Sequence, residues 1–293
     1  MRIAVAGSHG LIGSALAESL VGAGHDVLRL VRGPVTGDRQ IRWDPETFGV
    51  PPGALDGVDA VVGLGGVGLG SRRWSGMVKQ RLRDSRITPT GVLAEAVQQA
   101  GVPVFLSASA TGFYGDTGED AATEDSPVGR GFLADLTADW EAATAPAESA
   151  RVVHLRTAPV LSGSGGLLGR LRPIYRLGLG GRIGDGSQFF SWITLADEIR
   201  AIGHLLDDAA VSGPVNLAAP QAVRYGDFSA HLARLVGRRD MLPVPARLAR
   251  AVGGELVDEL ILTSSRVEPT VLTGRGFVFA HPTLSAALEY TRA

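Results

Sequence analysis

The sequence predicts an α/β fold in which helices cover both faces of a doubly wound parallel sheet, followed by a smaller C-terminal lobe. Two observations carry this prediction. Short apolar runs recur along the first 160 residues, and segments with apolar residues at helical spacing separate them. This alternation is typical of parallel strands joined by right-handed crossovers. The chain of 293 residues, 45% hydrophobic and 20% charged, is long enough to bury a large core.

The elements of the first half follow in order. The predicted strands are residues 2–6, 26–31, 59–64, 102–107 and 152–155. The predicted helices are residues 11–23, 74–85, 88–99 and 133–144. Gly24 follows the first helix, and a glycine at this position commonly ends a helix in the left-handed conformation.

The pattern changes after about residue 160. Residues 161–186 are rich in glycine and arginine, which predicts a long loop and a short helix over the carboxyl edge of the sheet. Helical spacing returns at residues 195–207 and 225–236, and a strand-like run at 214–217 lies between them.

We therefore expect two parts. Residues 1–160 form the sheet domain, to which about residues 187–220 add a strand and a helix, and residues 161–293 mainly form a substrate lobe. The last segment, residues 243–293, follows no Ser/Gly linker, so we expect it to pack against the lobe rather than form a free domain. Its apolar residues that need burial are Leu248, Val252, Leu256, Leu260, Ile261 and Leu262.

The composition excludes several classes of function. The chain has no cysteine, which rules out disulfides, a thiolate nucleophile and cysteine-ligated metals. A net charge of −2 provides no basic field for nucleic acid, and the six histidines show no metal-ligand spacing. The apolar run at the N-terminus is too short for a signal peptide, and no run of about 18 apolar residues is present to cross a membrane. We expect a cytoplasmic monomer or homodimer that acts on a small molecule without metal, nucleic acid or membrane.

A glycine motif lies directly after the first predicted strand and opens the first predicted helix. Small residues let the backbone approach a pyrophosphate, and the helix N-terminus supplies N–H groups and the positive end of the helix dipole. The motif therefore predicts dinucleotide binding in a Rossmann domain, and the alternative is a glycine turn kept for packing. The predicted contacts are Gly7, Ser8, His9, Gly10, Leu11, Ile12 and Gly13, together with Leu64 and Gly65 after the third strand.

The end of the second strand favours NADP(H) over NAD. An NAD site usually has Asp or Glu about 20 residues past the glycines to bind the ribose hydroxyls. This strand ends instead at Arg32, whose planar guanidinium suits a 2′-phosphate, and no acidic residue lies beside it. The alternative is that Arg32 is a solvated surface arginine.

Basic residues recur along one helix face in the segment after Trp74. Lys79, Arg83 and Arg86 are spaced at i, i+4 and i+7, and Lys79 is the only lysine in the chain. We expect Lys79 and Arg86 to reach the cofactor phosphates, or the stripe to reach a substrate diphosphate, although such a stripe is also typical of a merely solvated face.

The segment 107–115, Ser-Ala-Ser-Ala-Thr-Gly-Phe-Tyr-Gly, combines with the glycine motif into a recognisable pattern. The chain resembles the extended short-chain dehydrogenase/reductases of the NAD-dependent epimerase/dehydratase family. It is most similar to an epimerase-family subgroup with its own C-terminal domain of unknown function. The resemblance covers about residues 1–290. Its further marks include Arg72-Arg73-Trp74, Ser85-Arg86-Ile87, Trp140-Glu141, Gly178-Leu179-Gly180-Gly181, Ser191-Trp192-Ile193, Gly213-Pro214-Val215-Asn216-Leu217 and Arg266-Val267-Glu268-Pro269.

The resemblance implies a serine at Ser109 that holds the reacting oxygen, but the usual acid/base pair is missing. In the family a Tyr-x-x-x-Lys motif supplies the proton, whereas none of the four tyrosines here has a lysine four residues on. Tyr114 remains as a candidate acid. With no cationic neighbour expected, its pKa should lie near 10, which makes it a poor base at neutral pH. The alternative is that both hydroxyls merely line a pocket.

The resulting hypothesis is an NADP(H)-binding, epimerase-like or oxidoreductase protein that exchanges hydride with a small polar substrate, for which a nucleotide sugar is one candidate. Ser109 would orient the substrate oxygen, and Tyr114, water or an acid of the 116–125 loop would handle the proton. The resemblance implies substrate contacts from Arg176, Gln188 and Trp192. The competing hypothesis is a non-catalytic regulatory or scaffold protein that senses NADPH, which the missing Tyr/Lys pair favours.

Overall fold

A computed structural model describes residues 1–70, 73–239 and 243–292. Arg72, one of the residues that carry the resemblance, lies outside them. The strands within the described residues are β1 (Arg2–Ala6), β2 (Asp26–Val31), β3 (Gln40–Arg42), β4 (Ala60–Gly63), β5 (Val104–Ala110), β6 (Arg151–Thr157), β7 (Val160–Ser162), β8 (Phe189–Phe190), β9 (Ile193–Thr194), β10 (Gly213–Leu217) and β11 (Val223–Arg224).

Seven of these strands form one parallel sheet in the order β10-β6-β5-β4-β1-β2-β3. The chain runs outward from β1 to β3 and then returns to place β4 on the other side of β1. The crevice between β1 and β4 is therefore the point at which the strand order reverses, where doubly wound sheets bind ligands at the strands' carboxyl ends. The predicted fold is confirmed, and the short edge strand β3 is an addition to it.

Helices cover both faces of this sheet and build the smaller lobe. They are α1 (Leu11–Gly22), α2 (Gly76–Ala100), α3 (Phe132–Ala142), α4 (Gly166–Arg176), α5 (Leu195–Asp207), α6 (Tyr225–Leu235), α7 (Ala246–Gly253), α8 (Glu255–Val257), α9 (Thr270–Gly274) and α10 (Leu284–Tyr290). A 3₁₀ turn (Thr111–Tyr114) follows β5, and a π-helical turn (Asp258–Leu262) follows α8. Within the described residues, none of the helices has both the length and the apolar character needed to cross a bilayer.

The two helices predicted at 74–85 and 88–99 are a single helix, α2. It begins after Ser75, whose hydroxyl accepts a hydrogen bond from the Val78 N–H, and it ends at Gly101 in the left-handed conformation. Pro89 lies within it without ending it. The prediction of a break was wrong because one buried face runs through the proline, formed by Leu82, Arg86, Pro89, Leu93 and Val97.

Apolar residues on the two faces of the sheet form separate cores. One core joins the sheet to α1 and α5, and the other joins it to α2. The lobe has its own core, in which Trp192 and Tyr175 are among the largest fully buried side chains.

The last segment contacts both parts of the molecule. Glu255 pairs with Lys79 of α2, and the main-chain N–H groups of Ala280 and His281 donate to Asp197 of α5. Leu256, Leu260 and Ile261 pack against buried clusters of the protein. The expectation that Leu248 and Val252 need burial was wrong, since both are mostly exposed on α7.

Candidate functional site

The glycine motif lines a cavity of about 330 Å³ at the carboxyl ends of β1 and β2. Gly7 has φ of 79°, and a Cβ atom there would lie 2.7 Å from the Leu64 carbonyl oxygen. A Cβ atom at Gly13 would collide with the Gly7 carbonyl oxygen. Any side chain at Gly7 or Gly13 would therefore clash with main-chain atoms of the turn. The residues lining the cavity are Gly7, Ser8, His9, Gly10, Leu30, Val31, Arg32, Gly33, Trp43, Gly65, Gly66, Val67 and Ser85.

One polar atom of this cradle has no hydrogen-bond partner among the described residues. The Ser8 hydroxyl oxygen is fully buried and forms no hydrogen bond to any described residue. Buried hydroxyls are nearly always paired, and an unpaired one costs free energy unless a ligand satisfies it. The glycine cradle and this orphaned hydroxyl, at the start of α1, fit the pyrophosphate of a dinucleotide.

Arg32 lines the same cavity and follows directly after β2. Its guanidinium carbon is 6.0 Å from the centre of the Trp43 ring, and it forms no ion pair with a described residue. None of the described residues lining the cavity is acidic. This charge pattern suits a phosphate on the ribose, since no described lining residue is a carboxylate that would repel it or bind a free 2′-hydroxyl, and Asp44, whose charge interacts with that of Arg32, does not line the cavity.

Arg86 and Lys79, predicted together as phosphate contacts, have different environments. Arg86 is buried, with its guanidinium donating to the Val67 carbonyl at 3.0 Å and lying 5.3 Å from the Trp140 ring. Burial lowers the pKa of Arg86 to about 10. It supports the loop after β4 from beneath, where a Cβ atom at Gly66 would come within 3.3 Å of the guanidinium.

Lys79 points to the C-terminal segment and does not line the cavity. Its Nζ atom is 2.5 Å from a carboxylate oxygen of Glu255 and lies over the Phe132 ring. Arg83 pairs with Asp139 of α3. Lys79 and Arg83 of the predicted stripe therefore make ion pairs away from the nucleotide cavity, whereas Arg86 is buried and contacts the cavity wall.

A second cavity, of about 260 Å³, opens at the carboxyl ends of β5 and β6. The sheet domain supplies Thr111 and Thr157 to its lining, and the C-terminal segment supplies Glu259 and its neighbours. Glu259 accepts hydrogen bonds from the first N–H groups of α3, those of Phe132 and Leu133. The full lining is Leu69, Ala110, Thr111, Gly112, Gly115, Asp116, Arg130, Leu133, Thr157, Ala158, Pro159, Phe189, Phe190, Ser191, Glu259, Leu260, Ile261, Thr263 and Ser265.

Ser109 and Tyr114 do not line this cavity, because both hydroxyls are engaged inside the protein. The Ser109 hydroxyl donates to Glu141 at 2.5 Å, and Glu141 accepts two further hydrogen bonds from Arg156 at 2.8 and 2.9 Å. Arg156 also donates to the Tyr114 hydroxyl at 2.9 Å, which donates in turn to the Asn216 side-chain oxygen at 2.6 Å. One buried network therefore joins β5, β6, α3 and β10.

Tyr114 has the cationic neighbour that we expected it to lack. Arg156 forms a hydrogen bond to it and lies 5.1 Å from its ring. Burial nevertheless raises the pKa of Tyr114, and the hydrogen bond from Arg156 opposes this only in part. A phenol that is neutral, buried and already hydrogen-bonded on both sides is poorly placed to give its proton to a molecule in the cavity.

The three predicted substrate residues also lie outside the cavity lining. Trp192 is fully buried in the core of the lobe, and Gln188 donates to the Ile261 main-chain carbonyl at 2.8 Å. Arg176 is exposed at the end of α4. The neighbours Phe189, Phe190 and Ser191 line the cavity instead, whereas the Trp192 side chain packs in the core of the lobe.

Sequence reasoning missed an acid behind the cavity wall. Glu198 of α5 is fully buried, and its carboxyl oxygen lies 2.8 Å from the Thr157 hydroxyl. Burial raises the pKa of Glu198 to about 8. The signal was present in the sequence, since Glu198 shares one helix face with Ile202 and Leu205, and an acid on an apolar helix face is unusual. Across the described ranges 1–70, 73–239 and 243–292, no group of three or more acidic or histidine side chains is placed to hold a metal ion.

Two family models match this chain. The model of the NAD dependent epimerase/dehydratase family matches residues 3–218, and the chain belongs to this family. A second model, a domain of unknown function (DUF1731), matches residues 244–291. Both the recognition of the family and that of its distinct C-terminal domain are confirmed. The epimerase family protein Mb2239 of Mycobacterium bovis is 48% identical over 290 residues, covering 98% of this chain and 96% of its own.

Two solved structures agree with this assignment. The human epimerase family protein SDR39U1, crystallised with NADPH, is 33% identical with a TM-score of 0.91, covering 100% of this chain and 99% of its own. A nucleoside-diphosphate sugar epimerase from Corynebacterium glutamicum is 34% identical with a TM-score of 0.82. That match covers 99% of this chain and 58% of the other.

Proposed function

We propose that the protein binds NADP(H) in the cavity of the glycine motif and exchanges hydride with a small polar substrate in the second cavity. The observation that carries the proposal is the combination in one cavity of a glycine cradle with a buried Ser8 hydroxyl and Arg32, neither of which is paired with a described residue, and no described lining residue is acidic. The human relative that was crystallised with NADPH supports the choice of cofactor.

The residues assign distinct roles toward the two phosphate-bearing parts of the cofactor. Ser8 and the N–H groups at the start of α1 would hold the pyrophosphate, and Arg32 would hold the 2′-phosphate. When bound, NADPH supplies the two electrons and the hydrogen for reduction at a carbonyl carbon. The protein's contribution is to position the substrate and to supply the proton.

The second cavity favours a polar substrate with a reducible oxygen. Thr111 is buried in its wall, and its hydroxyl forms no hydrogen bond to another described residue, so it is available to a ligand. Arg130 lines the same cavity and forms no ion pair with a described residue. A nucleotide sugar is one candidate, supported by the epimerase relative from Corynebacterium glutamicum.

A second candidate function is an NADPH sensor without catalysis. It is favoured by one observation: Ser109 and Tyr114, at the positions where the resemblance implied catalysis, are bound to Glu141, Arg156 and Asn216 rather than exposed to the cavity.

A turnover assay decides between the two functions. NADPH oxidation is followed by absorbance against a panel of carbonyl compounds and nucleotide sugars, with the wild type and the Thr111→Val and Thr137→Val variants. Thr137 is the matched control, since its hydroxyl is buried and already bonded to the Leu133 carbonyl. We expect turnover that Thr111→Val lowers and Thr137→Val preserves, with NADPH affinity unchanged in both. Tight NADPH binding without turnover on any member would reject the enzyme in favour of the sensor.

A further inference from the structure

Behind the wall of the second cavity lies a carboxyl group that the proposed function does not yet use. Glu198 is fully buried near the start of α5. One of its oxygens is 2.8 Å from the Thr157 hydroxyl, and the other has no hydrogen-bond partner among the described residues. Thr157 is the last residue of β6 and lines the cavity. A single hydroxyl therefore separates this acid from any bound substrate.

The surroundings of Glu198 favour its neutral form. Burial raises its pKa to about 8, and the hydrogen bond to Thr157 opposes this shift. No described residue forms an ion pair with Glu198, and of the charged and titratable groups on α5 and on the elements packed against it, His204 has a buried ring nitrogen without a hydrogen-bond partner among the described residues. These groups are Glu18, Arg151, His154, Arg156, Asp197, Arg200, His204, Asp207, Arg275 and His281.

The protonation state of Glu198 determines which hydrogen bonds the Thr157 hydroxyl can make. A protonated carboxyl donates its proton to the Thr157 oxygen, which leaves the hydroxyl hydrogen of Thr157 free for another acceptor. An ionised carboxylate would instead only accept from Thr157 and would hold that hydrogen. With Glu198 protonated, the Thr157 hydroxyl hydrogen can go to the Leu155 main-chain carbonyl, 3.3 Å away, or to an acceptor bound in the cavity that Thr157 lines.

We propose that Glu198 and Thr157 form a proton relay that serves the reacting oxygen of the substrate, with Thr157 as the catalytic hydroxyl and Glu198 as its proton source. This inference rests on the proposed reduction. The substrate oxygen takes the Thr157 hydroxyl proton as Thr157 takes the carboxyl proton of Glu198. Glu198 is left as a carboxylate and recovers a proton from water after the product leaves. In oxidation the same bonds form and break in reverse.

The relay would also supply the proton that the Tyr-x-x-x-Lys pair supplies elsewhere in the family and that this chain lacks. Tyr114 is hydrogen-bonded on both sides within the protein and does not reach the cavity lining. Thr157 does reach it, and Glu198 supplies an acid with a pKa close to neutral pH, where general acids are most effective.

Infrared spectroscopy of the intact protein tests the relay without a substrate. The carboxyl C=O band of Glu198 is identified as the band that Glu198→Gln removes, and its shift after transfer to D₂O reports proton exchange through the wall. We expect exchange to slow by about tenfold or more in Thr157→Val. Thr157→Ser, which keeps the hydroxyl, should restore the wild-type rate, and Thr137→Val should not change it. Equal rates in the wild type and Thr157→Val would overturn the relay.

A pH titration of the same band gives a second readout. We expect the Glu198 band to disappear with a midpoint near pH 8, and the midpoint to rise in Thr157→Val because the hydrogen bond that favours the carboxylate is lost. A band already absent at pH 6 would overturn the proposal. NADPH titration of the same variants separates this outcome from failure of the proposed function: intact NADPH binding with no relay rejects only the relay, whereas lost NADPH binding in the wild type rejects the function.

Discussion

Breaking the buried pair of Glu141 and Arg156 should destabilise the fold strongly. The Glu141 side chain is 11% exposed and that of Arg156 is 5% exposed, and two hydrogen bonds of 2.8 and 2.9 Å join them. Removal of one partner from such a pair leaves a buried charge unpaired, which costs about 3–5 kcal/mol. We therefore expect Glu141→Leu to lower the free energy of unfolding by about this amount.

The double variant distinguishes a paired charge from simple packing. Glu141→Leu combined with Arg156→Met removes both charges, so its cost should be smaller than that of Glu141→Leu alone, although Ser109 and Tyr114 each lose a partner. Urea denaturation followed by far-UV circular dichroism measures all three unfolding free energies. Glu119→Leu, which breaks an exposed pair with Arg224, is the control and should leave stability nearly unchanged. Additive costs in the double variant would refute the reasoning.

Three further predictions test the rest of the structure. Tyr114→Phe should cost about 1–3 kcal/mol of stability by urea denaturation, because Asn216 and Arg156 lose a buried partner, and should leave the NADPH dissociation constant unchanged. Gly13→Ala should abolish NADPH binding in a fluorescence titration, because its Cβ atom would displace the Gly7 carbonyl. Wild-type stability relative to Glu198→Gln should fall as the pH rises from about 4.5 to about 8, since the unfolded chain releases this proton while the folded protein keeps it, as urea titrations across that range will report.

Two elements with a strong local pattern have the limits that the sequence predicts. The strand Asp26–Val31 and the helix Leu195–Asp207 have the predicted limits, since an apolar run and a threonine cap at Thr194 define them within a few residues. The break predicted in α2 does not occur, because the packing of the helix's buried face outweighs the loss of one hydrogen bond at Pro89.

The candidate site was predicted less completely, because its contacts link distant parts of the chain. The glycine motif and Arg32 were found because their chemistry is local to one strand and one turn. The partners of Tyr114 lie 42 and 102 residues away along the chain, so neither its cationic neighbour nor its burial could be read from the residues around it. Glu198 and Thr157 are likewise 41 residues apart.

The most direct test of the proposed function is a titration of NADPH and NADH against the wild type and Arg32→Ala, followed by nicotinamide fluorescence. Arg39→Ala is the charge-matched control, because Arg39 is exposed, pairs with Asp26 and does not line the cavity. We expect the wild type to bind NADPH more tightly than NADH. Arg32→Ala should weaken NADPH binding by about 1–3 kcal/mol, or roughly fivefold to 150-fold, with little change for NADH. Equal affinities of the wild type for the two cofactors, or equal losses for both in Arg32→Ala, would contradict the account.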